Sequence, residues 1–146
     1  MNALKHYTRR SFWAALSATA VLLAGYSGSA FSDEVKVTLS GNQEVPAVTT
    51  SASGSGTITI GADKSVSGSV TTTGVAGIAA HIHEGAAGKN GPVIIPLTKT
   101  SDNNWSVTAG AKLTDAQYES YKAGNLYVNV HSAANKGGEI RGQLKP

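Results

Sequence analysis

The chain has 146 residues, with 12 Lys and Arg against nine Asp and Glu, and it contains no cysteine. This length suits a single globular domain after a short leader segment. The lack of cysteine excludes disulfide bridges, thiolate zinc sites and blue-copper centres built on a cysteine ligand.

The first thirty residues have the pattern of an export signal. Lys5, Arg9 and Arg10 form a basic region, an apolar stretch follows, and small residues end the segment. We predict a signal peptide over 1–30, and its paired arginines are similar to those of twin-arginine signals. Tyr26 stands where a lipoprotein signal has its lipidated cysteine. We therefore expect no membrane anchor after cleavage.

The predicted mature part, 31–146, is formally neutral. Three of the 12 basic residues lie in the leader, whereas all nine acidic residues follow it. A neutral chain without a basic run is not expected to bind nucleic acid. The export signal predicts that this single domain works in the periplasm or is secreted.

In chain order, the mature part consists of short segments with strand patterns, separated by turn residues. Alternating apolar and polar residues predict the first strand at 35–39, and a Gly-, Ser- and Thr-rich stretch predicts a long loop over 41–56. The further predicted strands are 57–60, 66–70, the segment through His83, 92–97, 105–108, 126–131 and 139–144.

One helix is indicated between the sixth and seventh strands. Thr114 and Gln117 have the spacing of a capping box, and Gly124 supplies a stop at the other end. About eight short strands with one short helix predict an all-β fold, an antiparallel β-sandwich or barrel.

Three histidines carry most of the chemical information in the mature part. His81 and His83 are two residues apart on a predicted strand, so they project from the same face, and His131 ends another strand. In both strands the histidines alternate with apolar residues, which predicts that they lie on polar faces away from the core. Three neutral imidazoles on one face predict a mononuclear metal site, with copper preferred and zinc as the alternative.

Three charged residues are candidates for the surroundings of this site. The last two strands are predicted to form a hairpin, which brings His131 near Glu139 or Arg141. Glu139 would orient an imidazole through its N–H group, Arg141 would attract an anion, and Glu84 directly follows His83. A surface ion pair between Glu139 and Arg141 and a solvated Glu84 are equally compatible with the sequence.

Two other classes of function stay open. Exposed histidines are ordinary on β-sheets, so the domain also fits a metal-free interaction module that binds a protein or glycan through a sheet face or through the 41–56 loop. A superoxide dismutase-like or hydrolytic metalloenzyme would need an open position on the ion. Because the acid–base groups near the histidines are few, the sequence favours binding over catalysis.

Five segments of the chain resemble one family. The segments 39–46, 53–57, 80–85, 125–131 and 138–144 follow one another in the order typical of the CHRD domain, which is named from chordin and is common in exported bacterial proteins. This resemblance implies an extracytoplasmic β-sandwich over 31–146, and it implies no defined activity.

A second, weaker resemblance concerns the histidines alone. The segment 77–85 is similar to the strand of copper–zinc superoxide dismutases that supplies two copper ligands, and His131 is similar to a later copper ligand of that family. The loop after Glu84 has no histidine and the chain has no cysteine, so the bridging ligand, the zinc ligands and the disulfide of that family are missing. The resemblance therefore implies a copper-only or mononuclear site and does not by itself imply dismutase activity.

Overall fold

The structure, a computed structural model, describes residues 31–146. The signal peptide expected over 1–30 lies outside the described residues. The elements in chain order are β1 (Ser32–Ser40), a 3₁₀ turn (Gly41–Gln43), β2 (Ser53–Gly61), β3 (Val66–Thr73), β4 (Gly77–Glu84), β5 (Val93–Ser101), β6 (Asn104–Val107), α1 (Asp115–Lys122), β7 (Leu126–Ser132) and β8 (Ile140–Leu144).

The eight strands close into an antiparallel barrel. Their order around the barrel is β1, β2, β3, β6, β5, β4, β7, β8, and β8 returns to β1 through the pair Ser40 and Arg141. The prediction of an all-β fold with about eight strands and one short helix is confirmed. β2 begins at Ser53, inside the stretch expected to be a loop, because Ser53 to Gly56 pair with β1.

The barrel interior is filled by alternate residues of every strand. Val35, Val37 and Leu39 of β1 are buried. Val37 pairs with Gly56 of β2, where a side chain would overlap the backbone of β3. Each large apolar side chain buried in this way contributes about 1.5–3 kcal/mol. Strand β5 is less buried than its apolar sequence indicates, since Val93 is half exposed and only alternate residues enter the core.

The helix follows the sequence prediction closely. The Gln117 N–H donates to Thr114 Oγ1 (3.2 Å) and the Thr114 N–H donates to Gln117 Oε1 (2.9 Å), which completes the capping box. Tyr121 packs its ring into the core, and burial raises its pKa to about 12 with help from the nearby Asp33 carboxylate. No helix within 31–146 is long and apolar enough to cross a membrane.

The outer face of β4, β7 and β8 is polar in sequence but is not open to solvent. Tyr127, Asn129 and Arg141 point outward and yet are no more than 2% exposed. Three loops, 44–52, 85–92 and 133–139, lie over this face. The loops are tied to it and to one another by hydrogen bonds from Asn90 Nδ2 to Val45 O, from Gln143 Nε2 to Gly85 O and from Thr50 Oγ1 to Glu139 Oε1.

Candidate metal centre

The three histidines meet on the covered outer face of the barrel. β4 and β7 are hydrogen-bonded neighbours, and the pairing of Ala79 with His131 and of His83 with Tyr127 places all three imidazoles on one side of the sheet. His81 Nδ1 lies 3.0 Å from His131 Nε2. One ring nitrogen from each histidine lies within 4.8 Å of the others. We call His81, His83 and His131 the histidine cluster.

Backbone carbonyls fix the protonation of two of the imidazoles. His83 Nδ1 lies 2.9 Å from Gly91 O, and His131 Nδ1 lies 2.9 Å from Lys136 O. Because a carbonyl oxygen only accepts, each Nδ1 carries the proton and each Nε2 keeps its lone pair. His83 Nε2 is buried without a hydrogen-bond partner. Two ligand lone pairs are therefore aimed into the cluster.

The third imidazole completes the set through its other nitrogen. In the metal-free protein His81 Nδ1–H donates to the lone pair of His131 Nε2, which fits their distance of 3.0 Å. Moving that proton to Nε2 of His81 frees the Nδ1 lone pair. The available ligand atoms are then Nδ1 of His81 and Nε2 of both His83 and His131, a three-nitrogen set.

His83 is held in place from several directions. The β4–β5 register shifts between Ile82 and His83, and such a bulge re-aims the side chain that follows it. The His83 ring stacks on Tyr127, with centroids 4.8 Å apart and planes 8° from parallel. The Arg141 guanidinium, from the strand on the other side of β7, lies 3.4 Å from the Tyr127 ring centroid. The Gly91 N–H donates to the Tyr127 hydroxyl (3.2 Å). The orientation of His83 is thus set before any ligand binds.

The surroundings favour the neutral forms of His81 and His83. Burial lowers the pKa of His81 and of His83, because a charged imidazolium loses its hydration there, and a charge on His131 lowers both further. Hydrogen bonding to Gly91 O partly opposes the effect at His83. Neutral imidazole is the form that binds metal.

This pKa shift has a measurable consequence for the metal-free protein. When unfolded, His81 and His83 take up protons near pH 6.5, whereas in the folded protein burial lowers the pKa of both. The unfolded state therefore binds more protons, and stability falls as the pH drops through and below that value. We expect the free energy of unfolding, from urea titrations, to fall between about pH 7.5 and about pH 5.5, a window above the carboxylate range.

The matched control is His83→Asn, which removes one titrating group. Its free energy of unfolding should depend less steeply on pH over the same window. A free energy of unfolding that is flat, or that rises as the pH falls, would contradict the burial argument.

The three charged candidates bond elsewhere. Glu84 Oε1 accepts from the Ser120 hydroxyl (2.6 Å), and Glu139 Oε1 accepts from the Thr50 hydroxyl (2.8 Å). The imidazole-orienting role expected of Glu139 is filled by backbone carbonyls instead. Arg141 lies on β8 opposite Asn129, which is two residues from His131 on the same face of β7, so the hairpin prediction is confirmed.

Two buried polar residues beside the cluster escaped the sequence analysis as site residues. Asn129 lies between His81 and Arg141 in the strand register and is 2% exposed. Its place on the same strand face as His131 was a usable signal. Glu44 is 5% exposed; burial raises its pKa, and the charge of Arg141 partly opposes this. Nothing in the loop pattern around Glu44 indicates its burial.

Comparison with known proteins identifies the family of the chain. The family model described as the CHRD domain matches residues 35–144, which runs from within β1 to the end of β8 and includes the whole histidine cluster. No curated protein and no solved structure matches the chain.

Proposed function

Because the chain belongs to the CHRD domain family, which brings no defined reaction with it, we propose a function from the site itself: binding of one metal ion, copper in preference to zinc, by His81, His83 and His131. The observation that carries the proposal is the fixed protonation of His83 and His131. Their Nδ1–H groups are held by Gly91 O and Lys136 O, so both Nε2 atoms carry a lone pair and lie within the cluster.

The donor set favours copper. Divalent copper binds a given nitrogen site more tightly than zinc does, and imidazole suits both ions. The chain has no cysteine, and its one methionine is residue 1, so sulfur ligands do not compete. Zinc would fit the same three nitrogens with a fourth ligand in a tetrahedral arrangement.

Binding or sequestration fits the surroundings better than catalysis does. Glu84 and Glu139 are engaged by Ser120 and Thr50, and Arg141 donates to Ala86 O and Gln143 Oε1. Within 31–146, these three charged side chains are therefore engaged by other groups and are not free to move protons or to guide an anion. We place this function in the periplasm or outside the cell, where the predicted export signal would deliver the domain.

The test is titration of metal-free 31–146 with Cu(II), followed by electron paramagnetic resonance and by competition with a chelator. We expect one copper per chain with equatorial nitrogen ligands, and weaker binding of zinc at the same site. His83→Ala should lose the specific signal, since it removes a ligand. Lys122→Gln, on the exposed surface of α1, is the control and should bind as the parent protein does.

One outcome would exclude the proposal. If the parent protein and His83→Ala give the same weak, featureless copper signal, the cluster does not bind copper specifically. Partner binding that survives replacement of all three histidines, in protein isolated without metal, would then point to a metal-free interaction module for a protein or glycan.

A further inference from the structure

Three unpaired acceptor atoms are buried next to one another at the cluster. Among the described residues, Glu44 Oε1, His83 Nε2 and Asn129 Oδ1 are buried and lack hydrogen-bond partners. Their residues are 5%, 8% and 2% exposed, so bulk solvent does not reach them. An unsatisfied buried acceptor costs about 1–3 kcal/mol. Three unpaired acceptors in neighbouring side chains indicate a ligand that supplies positive charge or hydrogen-bond donors.

The orientation of the Asn129 amide follows from its neighbours. Asn129 Nδ2 points toward Gly137 O at 3.5 Å. A Cβ atom on Gly138 would lie 2.6 Å from Asn129 Nδ2 and would overlap Glu44 Oε1, so the amide nitrogen and the carboxylate oxygen both lie against this glycine. Both Gly137 O and the Glu44 carboxylate are acceptors, so the NH₂ group faces them. The Asn129 oxygen is thereby turned away from Glu44.

The oxygen is turned toward the histidines. Asn129 pairs with His81 across β4 and β7, so its side chain lies on the same sheet face as those of His81 and His83. With Nδ1–H donated to Gly91 O, neutral His83 offers only a lone pair at Nε2. Two lone pairs, on His83 Nε2 and Asn129 Oδ1, are therefore buried on the same sheet face without a hydrogen-bond partner. Such a pair is unfavourable unless a cation or a donor lies between them.

We propose that Asn129 Oδ1 is the fourth ligand of the ion held by the histidine cluster, and that Glu44 is the positioning residue that fixes the Asn129 amide. This inference rests on the proposed metal-binding function. The site is then three imidazole nitrogens and one amide oxygen, a donor set that suits Cu(II) and Zn(II). Glu44 acts through its carboxylate, which lies on the same side as the Asn129 amide nitrogen and favours the orientation with the NH₂ group facing it. Its negative charge also offsets part of the charge of the ion.

The closing experiment compares copper binding and paramagnetic resonance spectra of variants that keep all three histidines. Asn129→Leu replaces the amide with an apolar side chain of similar size and so removes the Oδ1 ligand. Glu44→Leu removes the carboxylate that orients the Asn129 amide. We expect each change to weaken copper binding by about 10- to 100-fold and to shift the spectrum away from that of a three-nitrogen, one-oxygen set. Glu44→Gln keeps an acceptor oxygen and should restore part of the affinity. Asn104→Leu is the matched control, because it makes the same amide-to-leucine change at an exposed residue of β6, a strand that pairs with neither β4 nor β7.

The outcomes separate this inference from the proposed function. If the parent protein binds copper through the histidines but Asn129→Leu leaves both affinity and spectrum unchanged, the fourth ligand is overturned and the metal site stands. Broadening of the parent spectrum by ¹⁷O-water would identify water as the fourth ligand and would also overturn it. If the parent protein does not bind copper, both proposals fail. Should Asn129→Leu not fold, the Glu44→Leu and Glu44→Gln pair decides, since only Glu44→Leu loses the acceptor.

Discussion

Replacement of Arg141 with alanine is expected to lower the free energy of unfolding by about 3–5 kcal/mol. The guanidinium is almost completely buried, lies over the ring of Tyr127 and donates to Ala86 O, Gln143 Oε1 and Asn90 Oδ1. Removing it leaves Gln143 Oε1 and Asn90 Oδ1 without a donor, whereas Ala86 O keeps the Lys89 N–H, and it opens a cavity under the loop that follows β4. Urea denaturation of the metal-free domain measures the loss.

A second consequence of this change concerns Glu44. Arg141 opposes the effect of burial on the Glu44 carboxyl, so its loss should raise the pKa of Glu44 further. Arg141→Lys keeps the charge but not the planar stacking or the several directed donors, and it should recover little stability. Lys36→Ala removes an exposed cation on β1 and should change stability by less than about 0.5 kcal/mol. Equal, small effects of Arg141→Ala and Lys36→Ala would show that the buried guanidinium is not structural.

The second large effect is expected from Gly91→Ala, with a loss of about 3 kcal/mol in stability. A Cβ atom at this position would overlap the carbonyl of Glu84, whose own N–H is paired with Pro92 O. The backbone of Gly91 must therefore move. Gly91 O accepts the His83 Nδ1–H group, so we also expect copper binding to weaken by about 10- to 100-fold.

The control for this prediction is Gly137→Ala. No atom lies within 4 Å of a Cβ placed on Gly137, so the added methyl group meets open space. Both the unfolding free energy and the copper affinity of this variant should stay close to those of the parent protein. A Gly91→Ala variant that is destabilised but binds copper normally would show that the carbonyl does not orient His83.

The sequence predicted the features that depend on local spacing. The capping box at Thr114 and Gln117 needs only four consecutive residues, and it formed as expected. The common face of His81 and His83 follows from strand alternation alone. His131 lies beside them because β4 pairs with β7 in the required register. No local sequence pattern specifies that pairing.

The sequence did not predict that the polar face would be buried. Alternation separates apolar from polar residues, but it does not show whether a loop covers the polar side. Here three loops cover it, and burial of Asn129 and Arg141 results from contacts with residues far along the chain, such as Ala86 and Asn90. Glu44 is also buried by residues far along the chain, and it lies in a loop whose sequence shows no apolar–polar periodicity. Closure of the strands into a barrel likewise depends on register, and composition left sandwich and barrel as alternatives.

The pairing of β4 with β7 also reduces the chain entropy that is lost when a ligand binds. His81 and His131 are 50 residues apart in the chain. Closing a flexible loop of that length costs about 3.5 kcal/mol. Folding of the barrel, which is stabilised by its core, already brings the two strands together, so the imidazoles are assembled before an ion arrives. An ion that binds there orders almost no chain, and nearly all of its coordination energy remains as affinity.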